Sequence, residues 1–175
     1  MEWHDLMVDA YGRIIEIMER VLDGLNEEDL NWQPRPDSNS IGWLAWHLTR
    51  VQDDHIASLM GEEQLWIKDG WSARFNRPAD VKDMGFGHTP EDLAAFKSPG
   101  ADILLGYHRA VVARSQAFFP TLSQAELDRE LNEPWFQPLP TVGVRIVSVL
   151  GDNLEHAGQM GYIRGLRQGK GWQPF

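Results

Sequence analysis

An aspartate and a histidine stand four residues apart in Asp152-Asn153-Leu154-Glu155-His156. In a helix, side chains at i and i+4 share one face roughly 6 Å apart. At that spacing a carboxylate and an imidazole can chelate one metal ion. A second imidazole, His47, follows Trp43 and Leu44 by one turn and precedes Val51, at the border of an apolar stripe. If the helices carrying these segments face each other, His47 is the third ligand. Two nitrogens and one carboxylate leave positions for water or substrate, which is the pattern of a catalytic site and not of a closed structural one. The same spacing also serves a surface Asp–His ion pair, and His47 alone also fits a hydrogen-bonded core histidine. His108 is the substitute ligand. His55 and Asp54 lie roughly 12 Å and 10.5 Å along the helix axis from His47, too far to share its metal. His4 and His88 sit in terminal or loop sequence and have the weakest claim. A His/Asp/His set accepts Zn²⁺, Ni²⁺, Fe²⁺ or Mn²⁺, with zinc or nickel placed first.

The elements that must position these residues are helices. Leu6, Ala10, Ile14, Ile17, Val21 and Leu25 recur at spacings of three and four and predict one amphipathic helix. Two prolines, Pro34 and Pro36, make the next stretch a loop, and Ser38, Asn39 and Ser40 are N-cap candidates for a second helix. That helix carries Ile41, Leu44, Leu48, Val51 and His55 on one stripe and stops near Gly61. Residues 61–100 are irregular and read as a long crossover with short helical pieces. Within them Thr89-Pro90-Glu91-Asp92 is a helix start: Thr caps, Pro takes the first turn, and the acids complement the dipole. A third long helix is predicted over 101–119. Ser123 and Glu126 form a capping-box pattern. The fourth long helix begins near Thr141 and ends near Gly169, with Ile146, Val149, Leu150, Asn153, His156, Met160 and Ile163 on its stripe. The tail from Gly171 to Phe175 reads as irregular. The fold class is therefore all-α: a four-helix bundle with a long crossover between helices 2 and 3, in one domain spanning residues 1–175.

Composition removes whole classes of function. With no cysteine in 175 residues there is no disulfide, no thiolate ligand and no cysteine nucleophile. Sixteen basic against 26 acidic side chains give a net charge of −10, which argues against nucleic acid and anionic membrane as partners. No run approaches the roughly 18 apolar residues of a membrane span, and the acidic, polar start does not read as a signal peptide, so the expectation is a cytoplasmic protein. Eight tryptophans are many for this length. Trp43, Trp46, Trp66 and Trp71 either line an apolar pocket for a small-molecule substrate or pack the core.

Two segments carry a resemblance. Trp43-Leu44-Ala45-Trp46-His47-Leu48 and Asp152-Asn153-Leu154-Glu155-His156-Ala157-Gly158-Gln159-Met160-Gly161-Tyr162-Ile163-Arg164 are similar to the two signature helices of the DinB/YfiT-like superfamily. That resemblance implies a four-helix-bundle metalloprotein whose divalent ion is held by one ligand from the second helix and two from the last. Here those are His47, Asp152 and His156. Many members carry His at both positions of the last-helix pair. The carboxylate at 152 resembles instead the mycothiol-dependent maleylpyruvate isomerase branch, where a Glu fills that place. The resemblance further implies homodimers and a low-molecular-weight thiol, mycothiol- or bacillithiol-like, as cosubstrate. A chain without cysteine fits an external sulfur nucleophile. Arg164 and Tyr162 are then candidates for orienting substrate, Arg164 as a fork for a carboxylate or else as a cap on a helix C-terminus. Asn153 either hydrogen-bonds a ligand or bridges helices. The expected activity is a metal-dependent thiol S-transferase or isomerase. The alternative is a non-catalytic metal- or small-molecule-binding stress-response bundle.

Overall fold

The computed structural model describes residues 1–173. It is all-α, and a plain four-helix bundle is too simple a description of it. Nine α-helices are present among the described residues: α1 (Trp3–Leu22), α2 (Glu27–Asn31), α3 (Ile41–Met60), α4 (Leu65–Lys68), α5 (Trp71–Arg74), α6 (Pro90–Ala95), α7 (Ala101–Phe118), α8 (Gln124–Leu127) and α9 (Val142–Gln168). The four long ones, α1, α3, α7 and α9, carry the core. Packing runs round them in a ring: α3 lies against α7 and α9, and α1 lies against the same two. No helix among the described residues is long and apolar enough to cross a membrane.

Local chemistry sets most helix ends. Ser40 caps α3 by accepting from the Trp43 N–H at 3.2 Å, and Gly61 ends it in the left-handed region at φ +67°. Thr89 caps α6 with Pro90 in the first turn, Ser123 and Glu126 close a capping box on α8, and Thr141 caps α9. The run after Gly24 forms a short separate helix, α2, capped by Asn26. The tail contains a 3₁₀ turn over Lys170–Trp172; Pro174 and Phe175 lie outside the described residues.

Two burial patterns depart from the sequence stripes. In α1 the buried face is Tyr11, Ile14, Met18, Val21 and Leu22, whereas Leu6 is exposed. Tyr11 turns inward because its hydroxyl donates to the Ile146 carbonyl of α9 at 2.8 Å. In α3 every residue from Ile41 to Asp53 is buried. This helix is covered on all sides, so no single stripe describes it. Two charges, Arg50 and Asp53, are buried with it at 0 % exposure.

Those charges organise the connecting segment. Arg50 makes five hydrogen bonds: to Gln64 Oε1 (2.8 Å), to the Tyr107 hydroxyl (3.4 Å), and to the backbone carbonyls of Asp80, Val81 and Asp83 (3.3, 3.1 and 3.1 Å). Its guanidinium also lies 4.7 Å from the centre of the Trp66 ring. Asp53 accepts from the backbone N–H groups of Leu65 and Trp66 at the start of α4, from the Tyr107 hydroxyl and from Arg114. Trp43, Trp46, Trp66 and Trp71, all buried, pack into the core around this network.

His108 on α7 is fully buried, with its Nδ1 3.1 Å from Thr49 Oγ1. The Thr49 hydroxyl donates to the Ala45 carbonyl, so His108 Nδ1 is the donor. Burial lowers the His108 pKa to about 3. Above roughly pH 6.5 the group is neutral in folded and unfolded chains alike. Between there and pH 3 only the unfolded chain takes the proton, so stability falls as pH falls, by roughly 1.4 kcal/mol per pH unit for each such proton. His55, lowered to about 4 by burial and by Arg145, acts in the same direction. A His108→Gln variant is expected to lose about one proton's worth of slope in unfolding free energy, from about pH 6.5 down to about 4.5, measured by urea titration. An unchanged slope would show that the native state accepts the proton.

Candidate metal centre

The Asp152–His156 pair lies on α9 beside, and not within, the row of residues that α9 buries. That row is Val142, Ile146, Val149, Asn153, Ala157, Met160 and Ile163. One position round the helix, Asp152 and His156 reach the edge where α9 meets α3. His47 meets them from α3. One ligand atom from each of the three lies within 4.8 Å of the other two. The two imidazole ring centres are 4.8 Å apart with planes at 75°, and His156 Nε2 is 3.5 Å from Asp152 Oδ1. The set proposed from spacing is thus brought together.

Hydrogen bonding fixes which nitrogens face the cluster. His47 Nδ1 is bonded to the Met84 carbonyl. A carbonyl only accepts, so that nitrogen carries the proton and Nε2 keeps a free lone pair. His156 Nδ1 donates to Gln159 Oε1 at 2.8 Å. The Gln159 amide is oriented for this by its Nε2, which donates to Glu155 at 3.4 Å. Both imidazoles are therefore held from behind through Nδ1, the arrangement that orients metal-bound histidines. Asp152 Oδ2 is buried and has no hydrogen-bond partner among the described residues. Leaving a buried polar atom unpaired costs about 1–3 kcal/mol, and a cation among these donors removes that cost. A divalent ion suits the set: two neutral nitrogens and one carboxylate oxygen, with open positions.

Electrostatics differ between the two histidines. Burial holds the His47 pKa below its ordinary value, only partly offset by the Met84 hydrogen bond, and nearby His156 adds to the lowering. Burial also opposes the proton on His156, but the hydrogen bonds to Asp152 and Gln159 outweigh it and the pKa is raised.

The other candidates stand elsewhere. Asn153 is fully buried and donates to Gln52 Oε1 on α3 at 2.6 Å, an interhelical bridge. Arg164 donates to the carbonyls of Arg20 and Val21, both at 2.8 Å, and so caps the end of α1, with its guanidinium 4.9 Å from the centre of the Trp172 ring. Tyr162 is 71 % exposed and lines a groove of about 940 Å³ between α1 and α9 that contains none of the triad. His55 pairs with Arg145, Asp54 with Gln64, and His108 with Thr49. His4 stands beside Asp5. His88, given little weight from its loop sequence, accepts from the Trp43 indole N–H at 3.1 Å. Spacing could not have shown the Met84 carbonyl or this indole contact. Gln159, three residues past His156, is the one supporting partner that helical periodicity could have found.

The family model described as the DinB superfamily matches residues 10–160. Among solved structures, a conserved protein from Enterococcus faecalis superposes with a TM-score of 0.88 at 29 % identity, covering 97 % of this chain and 99 % of that one. Comparison with curated proteins gives no match.

Protein purified without chelators is expected to carry about one divalent ion per chain by elemental analysis. His156→Ala and Asp152→Ala are expected to carry far less. Added Zn²⁺ at about 100 times its dissociation constant should stabilise wild type by about 2.7 kcal/mol and leave both variants unmoved. Equal metal content in wild type and variants would overturn the ligand assignment.

Proposed function

The chain belongs to the DinB superfamily, and on that footing we propose that it is a divalent-metal-dependent thiol S-transferase or isomerase whose sulfur nucleophile is a low-molecular-weight thiol cosubstrate. The observation that carries the reading is the triad itself: two imidazoles oriented through Nδ1 and a carboxylate with an unpartnered buried oxygen, converging from α3 and α9. Such a set leaves open positions for a ligand. A divalent ion held there supplies a positive charge that lowers the pKa of a thiol and keeps it as thiolate at neutral pH.

The chain's own residues account for the rest. No cysteine is present to compete for the ion or to act as nucleophile, so the thiol comes from outside. His47 is buried and fixed, whereas Asp152 and His156 are partly exposed, so substrate approaches from the α9 side. Phe86, which is 66 % exposed and stands edge-on to His47 with ring centres 5.1 Å apart, gives that approach an apolar surface. The carboxylate at position 152 favours a mycothiol-type cosubstrate, by similarity to the maleylpyruvate isomerase branch; a bacillithiol-type thiol fits the same donor set.

Protein loaded with Zn²⁺ or Ni²⁺ and incubated with mycothiol, bacillithiol or glutathione and a panel of electrophiles is expected to consume at least one thiol catalytically. The rate should fall to background in His156→Ala. Stoichiometric metal with no turnover for any thiol would favour a binding module instead.

A further inference from the structure

One hexapeptide of the connecting segment, Asp83-Met84-Gly85-Phe86-Gly87-His88, closes over His47, and it does more than cover it. We propose that this turn is the positioning device of the site: Met84 sets the tautomer of His47, the His88–Trp43 pair sets its ring plane, and Gly85 is the residue that lets both approach. The inference deepens the metal reading above and rests on it.

An imidazole on a helix has three freedoms that a ligand must lose: which nitrogen carries the proton, which way the ring is flipped, and the tilt of its plane. The Met84 carbonyl removes the first two, since it accepts from Nδ1 and leaves Nε2 facing Asp152 and His156. The third is removed by stacking. The Trp43 ring lies nearly parallel to that of His47, with centres 4.7 Å apart and planes at 14°. Phe86 meets His47 edge-on.

Trp43 is itself held. Its indole N–H, which can only donate, bonds to His88 Nδ1 at 3.1 Å. His88 therefore carries its proton on Nε2 and donates it to Asp83 Oδ1 at 3.0 Å. Asp83 Oδ2 accepts from Arg77 at 2.7 Å. These bonds run in one direction, from Arg77 and His88 into Asp83 and from Trp43 into His88. The turn is also tied down at its start, where the Asp83 carbonyl accepts from buried Arg50.

Gly85 makes the fit possible. Its φ is +94°, where side chains are disfavoured. A Cβ there would stand 2.6 Å from Trp43 Cζ2 and 3.1 Å from His47 Nδ1. Any other residue must push the indole off the imidazole or lift the Met84 carbonyl away from it. Outer partners of this kind typically change metal affinity by about 10- to 100-fold.

Three proteins test the inference: wild type, Gly85→Ala and His88→Phe. The second variant keeps an aromatic ring where His88 stacks on Trp46, with centres 5.8 Å apart, but loses both hydrogen bonds, and it serves if Gly85→Ala fails to fold. The readouts are the His47 tautomer in metal-free protein, by long-range proton–nitrogen correlation, and the Zn²⁺ dissociation constant, by competition with a chromophoric chelator. Metal-free melting temperature separates misfolding from mispositioning. Wild type is expected to hold His47 with Nδ1 protonated. Folded Gly85→Ala is expected to mix His47 tautomers, and both folded variants are expected to bind Zn²⁺ about 10-fold or more weakly. A wild-type His47 protonated on Nε2, or folded variants that bind Zn²⁺ within about twofold of wild type, would overturn this inference while leaving the metal reading intact. Wild-type protein that takes up no Zn²⁺ would overturn the metal reading, and this one with it.

Discussion

A guanidinium with no solvent exposure sits in the middle of α3, and much of the molecule is arranged to accommodate it. Stripping water from a charge costs several kcal/mol unless its hydrogen-bonding groups are all met. Arg50 meets that demand with Gln64, Tyr107 and three backbone carbonyls, while Asp53 lies 3.8 Å away as counter-charge. The carbonyls belong to residues 80, 81 and 83, so a segment with little regular structure is bound across a helix 30 residues before it. Asp53 does the same for α4, whose first N–H groups it accepts, and for α7 through Tyr107 and Arg114. A buried ion pair is a poor source of net stability compared with apolar packing. What this one supplies is place: it determines which stretch of backbone lies over α3, and therefore what stands next to His47.

Signals that act within one turn or one helix were legible in the sequence. Ser40, Thr89 with Pro90, Ser123 with Glu126, and Gly61 mark helix ends because a cap is satisfied by backbone two or three residues away. The i, i+4 spacing of Asp152 and His156 carried over to three dimensions for the same reason. Burial was legible only where a helix has one wet face. α3 has none over residues 41–53, so its periodicity carried little information. In α1 the true face includes Tyr11, whose inward turn is secured by a carbonyl 135 residues away.

The candidates that lie away from the triad show the same limit from the other side. At roughly 100° per residue, Tyr162 lies about 240° round the helix from His156, on a different face, and Arg164 lies about 12 Å further along. A motif read as a string places them together with His156; the helix separates them. Arg164 is instead used where a cation belongs, at the C-terminal carbonyls of α1. His88 errs in the opposite sense. Nothing local marks it, because its partners are 45 residues back in Trp43 and across the turn in Asp83.

The burial of the three ligands is uneven, and that asymmetry connects the fold to the chemistry. His47 is locked on the side where Arg50, the 83–88 turn and Trp43 meet, and it is almost fully buried. Asp152 and His156 stand on a single helix at the solvent edge, supported by one side chain, Gln159, from the same helix. A rigid ligand on one element and an open pair on another give a site whose geometry is set from the core and whose access is set from the surface. Changes along the exposed face of α9 can then alter what reaches the site without disturbing His47. Changes at Arg50, or in the turn at residues other than Phe86, act on His47 without touching the approach. The two halves of the site are separable because they hang on different helices and on different kinds of interaction: a relay of long-range hydrogen bonds for one, and the pitch of an α-helix for the other.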